Sequence, residues 1–429
     1  MPAKRRSKPS ATKNLQYIRR LESLIEASKT LNTTLDLDEL LKVILDLALK
    51  NLNAARGTIY LLDDQRNELW SRVLKGKDIV EIRLPLGTGV SGYVAESGKT
   101  VNLADAWKDK RFFSGFDVRS GFVTKTMLCM PMRNREKKTI GVFQIINKKN
   151  GLFDREDEQF LEAFSDHVAL AIENAYLLQA RVEKERVEKE IQIAADIQGR
   201  LLPKELPAVR AYSVSATAIP CKTIGGDYYD VITLDEDTYV FVVADVSGKG
   251  IPAALLVSTL HASLHAYVLT SLSLPELVQK LNAVVYKNTP SERYITFFIS
   301  VLNIRRHQLM YINAGHNFPY LVRKSEPEFV RLTAGGLPLG MFENAEYKSE
   351  TVNVESDDLL VFYSDGVTEA MNKKFEEYGE NRFRECILKY VDKDVNDLKG
   401  KVIDDIQEFI GSEPQSDDLT LMVLKRTGT

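Results

Sequence analysis

The stretch from residue 176 to residue 202 constrains this chain most. Its centre reads Arg181-Val182-Glu183-Lys184-Glu185-Arg186-Val187-Glu188-Lys189-Glu190, where only Val182 and Val187 are apolar. Such a run cannot supply a wide core-facing stripe, so it reads as a solvated helix. Leu202-Pro203 stops it, because proline lacks the amide and restricts the residue before it. A chain of 429 residues divided here must build separate cores on either side. Ala180, Val187, Ala194 and Leu201 recur seven apart, and Ile191 follows Val187 by four, which makes a short heptad seam. A lone solvated helix and a parallel two-stranded coiled coil both satisfy this pattern. The coiled coil is preferred, because the domain before it also ends in a helix, and it predicts a homodimer.

Residues 1 to 21 read as a basic tail, with Lys4-Arg5-Arg6-Ser7-Lys8, running into a helix over 14 to 34. Ile18, Leu21, Leu24, Ile25, Ala27 and Leu31 give that helix its spacing. A second helix opens at Leu35 to Glu39, capped by Asp36 or Asp38, and runs to about Asn53. Thr58 to Leu62 reads as a strand and Asp63-Asp64 as its turn. Gly87 to Gly92 reads as a loop into a short helix at Tyr93-Val94-Ala95. Met127 to Met132 and Ile140 to Ile146 read as paired strands, joined by a polar hairpin over Arg133 to Lys138. The pattern is helical again from Asp154 to Ala175. Residues 22 to 175 therefore predict one α/β domain, an antiparallel sheet flanked by helices.

The last domain spans 203 to 429. Its clearest strands are Val240 to Ala244, Ile295 to Leu302, Leu309 to Asn313, Leu359 to Tyr363 and Leu419 to Leu424. Ala253 to Leu269 and Leu274 to Val285 read as helices. Helices interrupting antiparallel strands predict a two-sheet sandwich with helices outside.

A formal net charge of -3 argues against nucleic acid as a partner. Cys129, Cys221 and Cys386 are isolated and odd in number, which fits a reducing compartment better than a disulfide framework. No 18-residue apolar run and no signal peptide stand out, so the expectation is a soluble, cytoplasmic protein without a membrane partner.

Four acidic stretches in the last domain carry chemistry. They are Gly225-Gly226-Asp227, Asp245-Val246-Ser247-Gly248-Lys249-Gly250, Ser364-Asp365-Gly366 and Asp417-Asp418-Leu419-Thr420. Each sets an aspartate beside a turn or strand end. Clustered aspartates without histidine suit hard, oxygen-loving cations such as Mg2+ or Mn2+. Packed carboxylates need such a partner, and two such ions against a phosphate make phosphate-ester hydrolysis the leading reading. Gly248-Lys249-Gly250 lacks the spacing of a nucleotide loop.

The whole set resembles the stage-II-sporulation-E and sigma-regulator branch of the metal-dependent (PPM, PP2C-like) serine/threonine phosphatases. The resemblance spans roughly residues 190 to 426. It includes Ala195 to Pro203, Gly225 to Asp230, Ala244 to Gly250, Asn313-Ala314-Gly315-His316-Asn317, Gly335 to Gly340, Tyr363 to Ala370 and Asp417 to Thr420, in family order. It implies an α-β-β-α sandwich in which Asp227, Asp245, the backbone carbonyl of Val246, Asp365 and Asp417 hold two ions, with Asp418 as the rival to Asp417. It also implies in-line attack by water without a covalent enzyme intermediate, on a phosphorylated anti-sigma-factor antagonist or similar regulatory protein. His316 is expected to be structural rather than catalytic. The arginine that holds phosphate in eukaryotic-like members has no clear match. A catalytically idle interaction module on the same fold is the competing reading, and four intact aspartates argue against it.

Residues 22 to 175 resemble a GAF domain, a small-ligand and dimerisation module. Gly89 to Val94, Met130-Pro131-Met132 and Gly141 to Ile145 carry the general pattern. Asn147-Lys148, Phe153 and Asp157-Glu158 match the spacing of the signature in cyclic-nucleotide-binding members. The resemblance makes cAMP or cGMP a ligand candidate and places Asn102, Asp105, Phe112, Phe113, Asp117 and Thr126 in the lid and pocket region. The alternative is a GAF domain that only dimerises.

Overall fold

The computed structural model describes residues 37–427, apart from 76, 77, 291 and 325–327. The basic start and the helix expected over 14 to 34 lie outside the described residues. The chain divides into two compact units, Met1–Glu185 and Arg186–Thr429.

The first unit contains α1 (Leu37–Leu52), β1 (Ala54–Asp63), β2 (Glu68–Lys75), β3 (Asp78–Pro85), α2 (Gly89–Ser97), β4 (Val101–Leu103), α3 (Gly115–Ser120), β5 (Met127–Arg133) and β6 (Thr139–Lys148). Its sheet is antiparallel in the order β3-β2-β1-β6-β5-β4. Leu40, Ile44, Ala48 and Leu52 of α1 recur every fourth residue, a stripe along which a helix can lie on a sheet. They pack with Phe143, Ile145, Phe160 and Phe164 on one face, while Val90 and Val94 of α2 pack with Tyr60, Cys129 and Val142 on the other. Helix α2 begins at Gly89, inside the segment expected to be a loop. The β2–β3 hairpin was not foreseen.

Helix α4 runs unbroken from Arg155 to Gln198, 44 residues. Its buried positions end at Ala175. Beyond that, Leu177, Val182, Val187, Ile193 and Ile197 are exposed, so the charged run is a solvated helix within one chain.

The second unit has two stacked sheets, antiparallel except where the short β14 (Gly335–Gly336) joins β11 (Gln308–Ala314) in parallel. One contains β8 (Asp227–Thr233), β9 (Thr238–Val246), β10 (Ile295–Asn303) and β11 (Gln308–Ala314), with β14 (Gly335–Gly336) and β15 (Glu350–Asn353) on β11. The other runs β13 (Phe329–Arg331), β12 (Tyr320–Val322), β16 (Leu359–Tyr363), β17 (Leu419–Arg426) and β7 (Tyr212–Ile219). Phe241, Phe298, Phe362 and Met422 fill the space between the sheets. Helices α5 (Ile251–Val268) and α6 (Leu274–Asn288) cover the outer face of the first sheet. Helices α8 (Gly379–Tyr390) and α9 (Val395–Ile410) cover the second. A short α7 (Asp365–Thr368) follows β16. This is the expected α-β-β-α sandwich.

One expectation is corrected. Ile251–Val268 is long and apolar enough, by length and composition, to cross a membrane. Here Ala253, Val257, Leu260 and Leu264 of that helix are buried against the first sheet, which accounts for its apolarity.

Candidate active site

The two sheets bring their acidic ends together. Asp227 opens β8 and Asp245 lies opposite it near the end of β9. Asp365 follows β16, and Asp417-Asp418 precede β17, which pairs with β16. Ser364 Oγ donates to Asp227 Oδ2 at 2.7 Å, linking the sheets directly. Asp227 Oδ1 is buried and has no hydrogen-bond partner among the described residues.

Crowding shows in the titration of these groups. Burial, then the neighbouring Asp365, Asp417 and Asp418, pushes Asp245 up to about 7. Burial and Asp245 raise Asp227 well above the ordinary carboxylate range. Asp365 is raised by burial and by Asp417. Carboxylates held this close resist ionising together unless a cation sits among them. The donor set is all oxygen, which fits Mg2+ or Mn2+.

The adjacent aspartates do different work. Asp418 is buried, and its carboxylate accepts from the amides of Cys221, at 2.7 Å, and Gly226. Asp417 is partly exposed, and its Oδ1 stands 3.0 Å from Lys249 Nζ. Gly226 lets the backbone close in, since a Cβ there would sit 3.0 Å from the Val246 carbonyl oxygen. Gly366 is more tightly restricted: its Cβ would fall 1.9 Å from the Asp418 carbonyl oxygen.

His316 is buried, and its Nδ1 pairs with Thr296 Oγ1 at 2.9 Å. Burial pushes its pKa down to about 4, which disfavours a charged imidazolium there. Burial and Asp418 push Cys221 up to about 11, the opposite of what a nucleophilic thiolate requires.

Arg293 was missed from the sequence. It lies beside the loop after Asp245, where a Cβ on Gly248 would be 3.2 Å from its Nη1. That nitrogen is buried without a hydrogen-bond partner among the described residues. Arg293 precedes β10 outside any motif, so no local signal could have found it. A cleft open to solvent reaches Asp227 and Asp418 and is walled by Gln198 and Leu202. Gln198 Nε2 donates to Gly225 O at 2.7 Å, tying the end of α4 to the loop before Asp227.

In the first unit each ligand candidate makes contacts within the domain. Asn102 donates to Phe153 O and Glu158 Oε1. Asp105 caps a short turn by accepting from the Trp107 amide at 3.2 Å. Asp117 is buried and accepts twice from Thr124. Thr126 Oγ1 accepts from the Lys148 amide, and Phe112 stacks obliquely on Trp107. Among the described residues, none of these five bonds to another. The signature residues close a network: Asn147 binds the backbone at Val123, Lys125 and Thr126, and Lys148 pairs with the buried Asp157.

The two stacked sheets, with carboxylates gathered at one shared end, have the expected PP2C-like architecture. The family described as stage II sporulation protein E (SpoIIE) matches residues 235–427, and the GAF domain family matches residues 36–172. The chain is 31% identical over 249 residues to the phosphoserine phosphatase RsbU of Bacillus subtilis (strain 168), covering 57% of this chain and 72% of that one. It is 34% identical over 190 residues to the dual 3',5'-cyclic-AMP and -GMP phosphodiesterase 11A of Takifugu rubripes, covering 41% of this chain but only 21% of that protein. The SiaA-PP2C domain of Pseudomonas aeruginosa shares the fold, with a TM-score of 0.50 at 19% identity over 57% of this chain and 98% of that one. The chain belongs to the SpoIIE family of protein serine/threonine phosphatases, with a GAF domain ahead of the phosphatase domain.

Proposed function

We propose that this protein is a divalent-metal-dependent phosphatase that dephosphorylates a small regulatory phosphoprotein, such as an anti-sigma-factor antagonist, under control of its GAF domain. The buried, unpartnered Oδ1 of Asp227, inside a group of four mutually repelling carboxylates, carries the metal part of this reading. Asp227, Asp245, the Val246 carbonyl, Asp365 and Asp417 are the residues that would hold two ions. When bound, the ions acidify water and offset charge on the phosphoryl oxygens. Asp418 is left to position the loop at Gly226, because its oxygens are already taken by amides. Arg293 offers a guanidinium to the phosphate, and Ser364 orients Asp227.

The substrate class is carried over from RsbU, named a phosphoserine phosphatase. Three free cysteines suit work in a reducing cytoplasm. The exposed apolar positions of α4 support a homodimer through that helix. The likeness to a cyclic-nucleotide phosphodiesterase makes cAMP and cGMP the ligands to test first. Regulation would run along α4, whose last residue, Gln198, holds the loop before Asp227.

The test is phosphate release from a phosphoserine regulatory protein with Mn2+, Mg2+ or chelator, each with and without cAMP or cGMP. Metal-dependent release supports the enzyme, and a change with one nucleotide names the signal. No release with any metal, on several phosphoproteins, would sink the reading.

A further inference from the structure

Strand β8 has two faces. Asp227, Tyr229 and Val231 alternate with Tyr228, Asp230 and Ile232. Tyr229 and Val231 pack between the sheets, whereas Tyr228 and Ile232 pack under α5 and α6. Asp230 therefore points away from the face that carries Asp227. It is buried, yet it is a carboxylate on the apolar side of a sheet. Burying such a group is costly unless it is well partnered.

Its partners come from α5. His261 and His265 are four residues apart, so they share one helix face, and their ring centroids are 4.3 Å apart. His265 Nε2 lies 2.7 Å from Asp230 Oδ2. His261 Nδ1 lies 3.9 Å from the same oxygen. One ligand atom from each of the three falls within 4.8 Å of the others. Tyr228 completes the arrangement: its hydroxyl donates to Asp230 Oδ2 at 2.6 Å and lies 3.0 Å from His261 Nδ1. Both histidines are partly exposed, His265 (43%) more than His261 (25%), which leaves a route in from solvent.

We propose that Asp230, His261 and His265 bind one borderline divalent cation of the Zn2+ or Co2+ class, at a site separate from the carboxylate centre. Two imidazoles and a carboxylate prefer such ions, whereas an all-oxygen cluster prefers Mg2+ or Mn2+. A tetrahedral ion with bonds of about 2.0 Å needs ligand atoms about 3.3 Å apart. The separations of 2.7 and 3.9 Å bracket that figure, so rotation of the two rings suffices. Water completes the coordination on the exposed side of His265. The Tyr228 hydroxyl, bonded to Asp230, orients the carboxylate as outer partners of metal ligands do. The ion would fasten α5 to β8, the strand that Asp227 opens, from the opposite face.

The experiment uses the full-length protein with excess Mg2+ to fill the oxygen site, and Co2+ as the probe. Visible ligand-field absorption should saturate at one equivalent of Co2+ and disappear on one equivalent of Zn2+. His261→Ala and His265→Ala should each weaken binding by about tenfold or more, and the double variant should lose the absorption. His261→Gln/His265→Gln preserves side-chain bulk if the alanine pair fails to fold, as judged by circular dichroism. Zn2+ should raise the melting temperature of the wild type but not of the double variant. No Co2+ absorption in the wild type, or the same equivalent in a folded double variant, overturns the proposal. No turnover is measured, so the outcome is independent of the phosphatase reading.

Discussion

Lys249 Nζ stands 3.0 Å from Asp417 Oδ1, and the same ammonium donates to the Ser416 carbonyl at 2.7 Å. A protein cation thus rests on a carboxylate proposed to hold a metal. The pair is about one-third exposed, so its strength is that of a surface ion pair, about 0.2–1 kcal/mol. Lys249→Ala should free Asp417 and lower the Mn2+ concentration for half-maximal activity by about two- to fivefold. Metal titrations of phosphate release check this, and an unchanged midpoint would rule out competition.

Asp417 and Asp418 should separate cleanly. Asp417→Asn should cut metal-dependent turnover by about a hundredfold or more while leaving the metal-free melting temperature within a few degrees. Asp418→Ala removes the acceptor for two amides and should cost about 1–3 kcal/mol of stability in chelator. Thermal melts beside activity assays distinguish the two, and matching effects would show that the roles are shared.

The metal-free protein should lose stability as pH rises. Asp245 has a folded pKa raised to about 7, against an unfolded value near 4. Its contribution is fully present below the unfolded value and is lost as pH rises through 7. In chelator, Asp245→Asn should therefore match the wild type near pH 4 and be the more stable by pH 8, by at most about 4 kcal/mol. Saturating Mn2+ should reverse that order. Denaturant melts at several pH values measure it.

Arg293→Ala should raise KM for the phosphoprotein by about tenfold, the scale of one charge-assisted hydrogen bond, with a smaller effect on kcat. A kcat loss at constant KM would instead place Arg293 in organising the loop at Gly248.

The α4 seam predicts a concentration-dependent dimer. Val187→Glu with Ile197→Glu should shift sedimentation of the full chain toward monomer. Both side chains are exposed within one chain, so secondary structure should not change. A wild type that sediments as a monomer at every concentration would remove the dimer.

What could be read from the sequence followed local chemistry. Glycines beside aspartates marked the loops after β9 and β16, and the charged run from Arg181 marked the division of the chain. The β2–β3 hairpin escaped because Glu68 to Pro85 never holds more than two apolar residues in a row. The choice between Asp417 and Asp418 was invisible because it depends on amides at Cys221 and Gly226, almost two hundred residues away. Arg293 and the histidines of α5 escaped for the same reason: their meaning comes from strands that pass beside them only after folding.

Between Gly151 and Gly199 the chain has neither glycine nor proline. Helix α4 therefore has neither of the residues that most often kink a helix anywhere in its 44 residues. If regulation runs along α4, as proposed above, no glycine or proline would relieve a change in that helix before Gln198. On that reading the message would be mechanical phase rather than chemical identity. A different sensor ending in a helix of matching phase could be spliced on at Ala175, and the carboxylates at the far end would not distinguish it from the original.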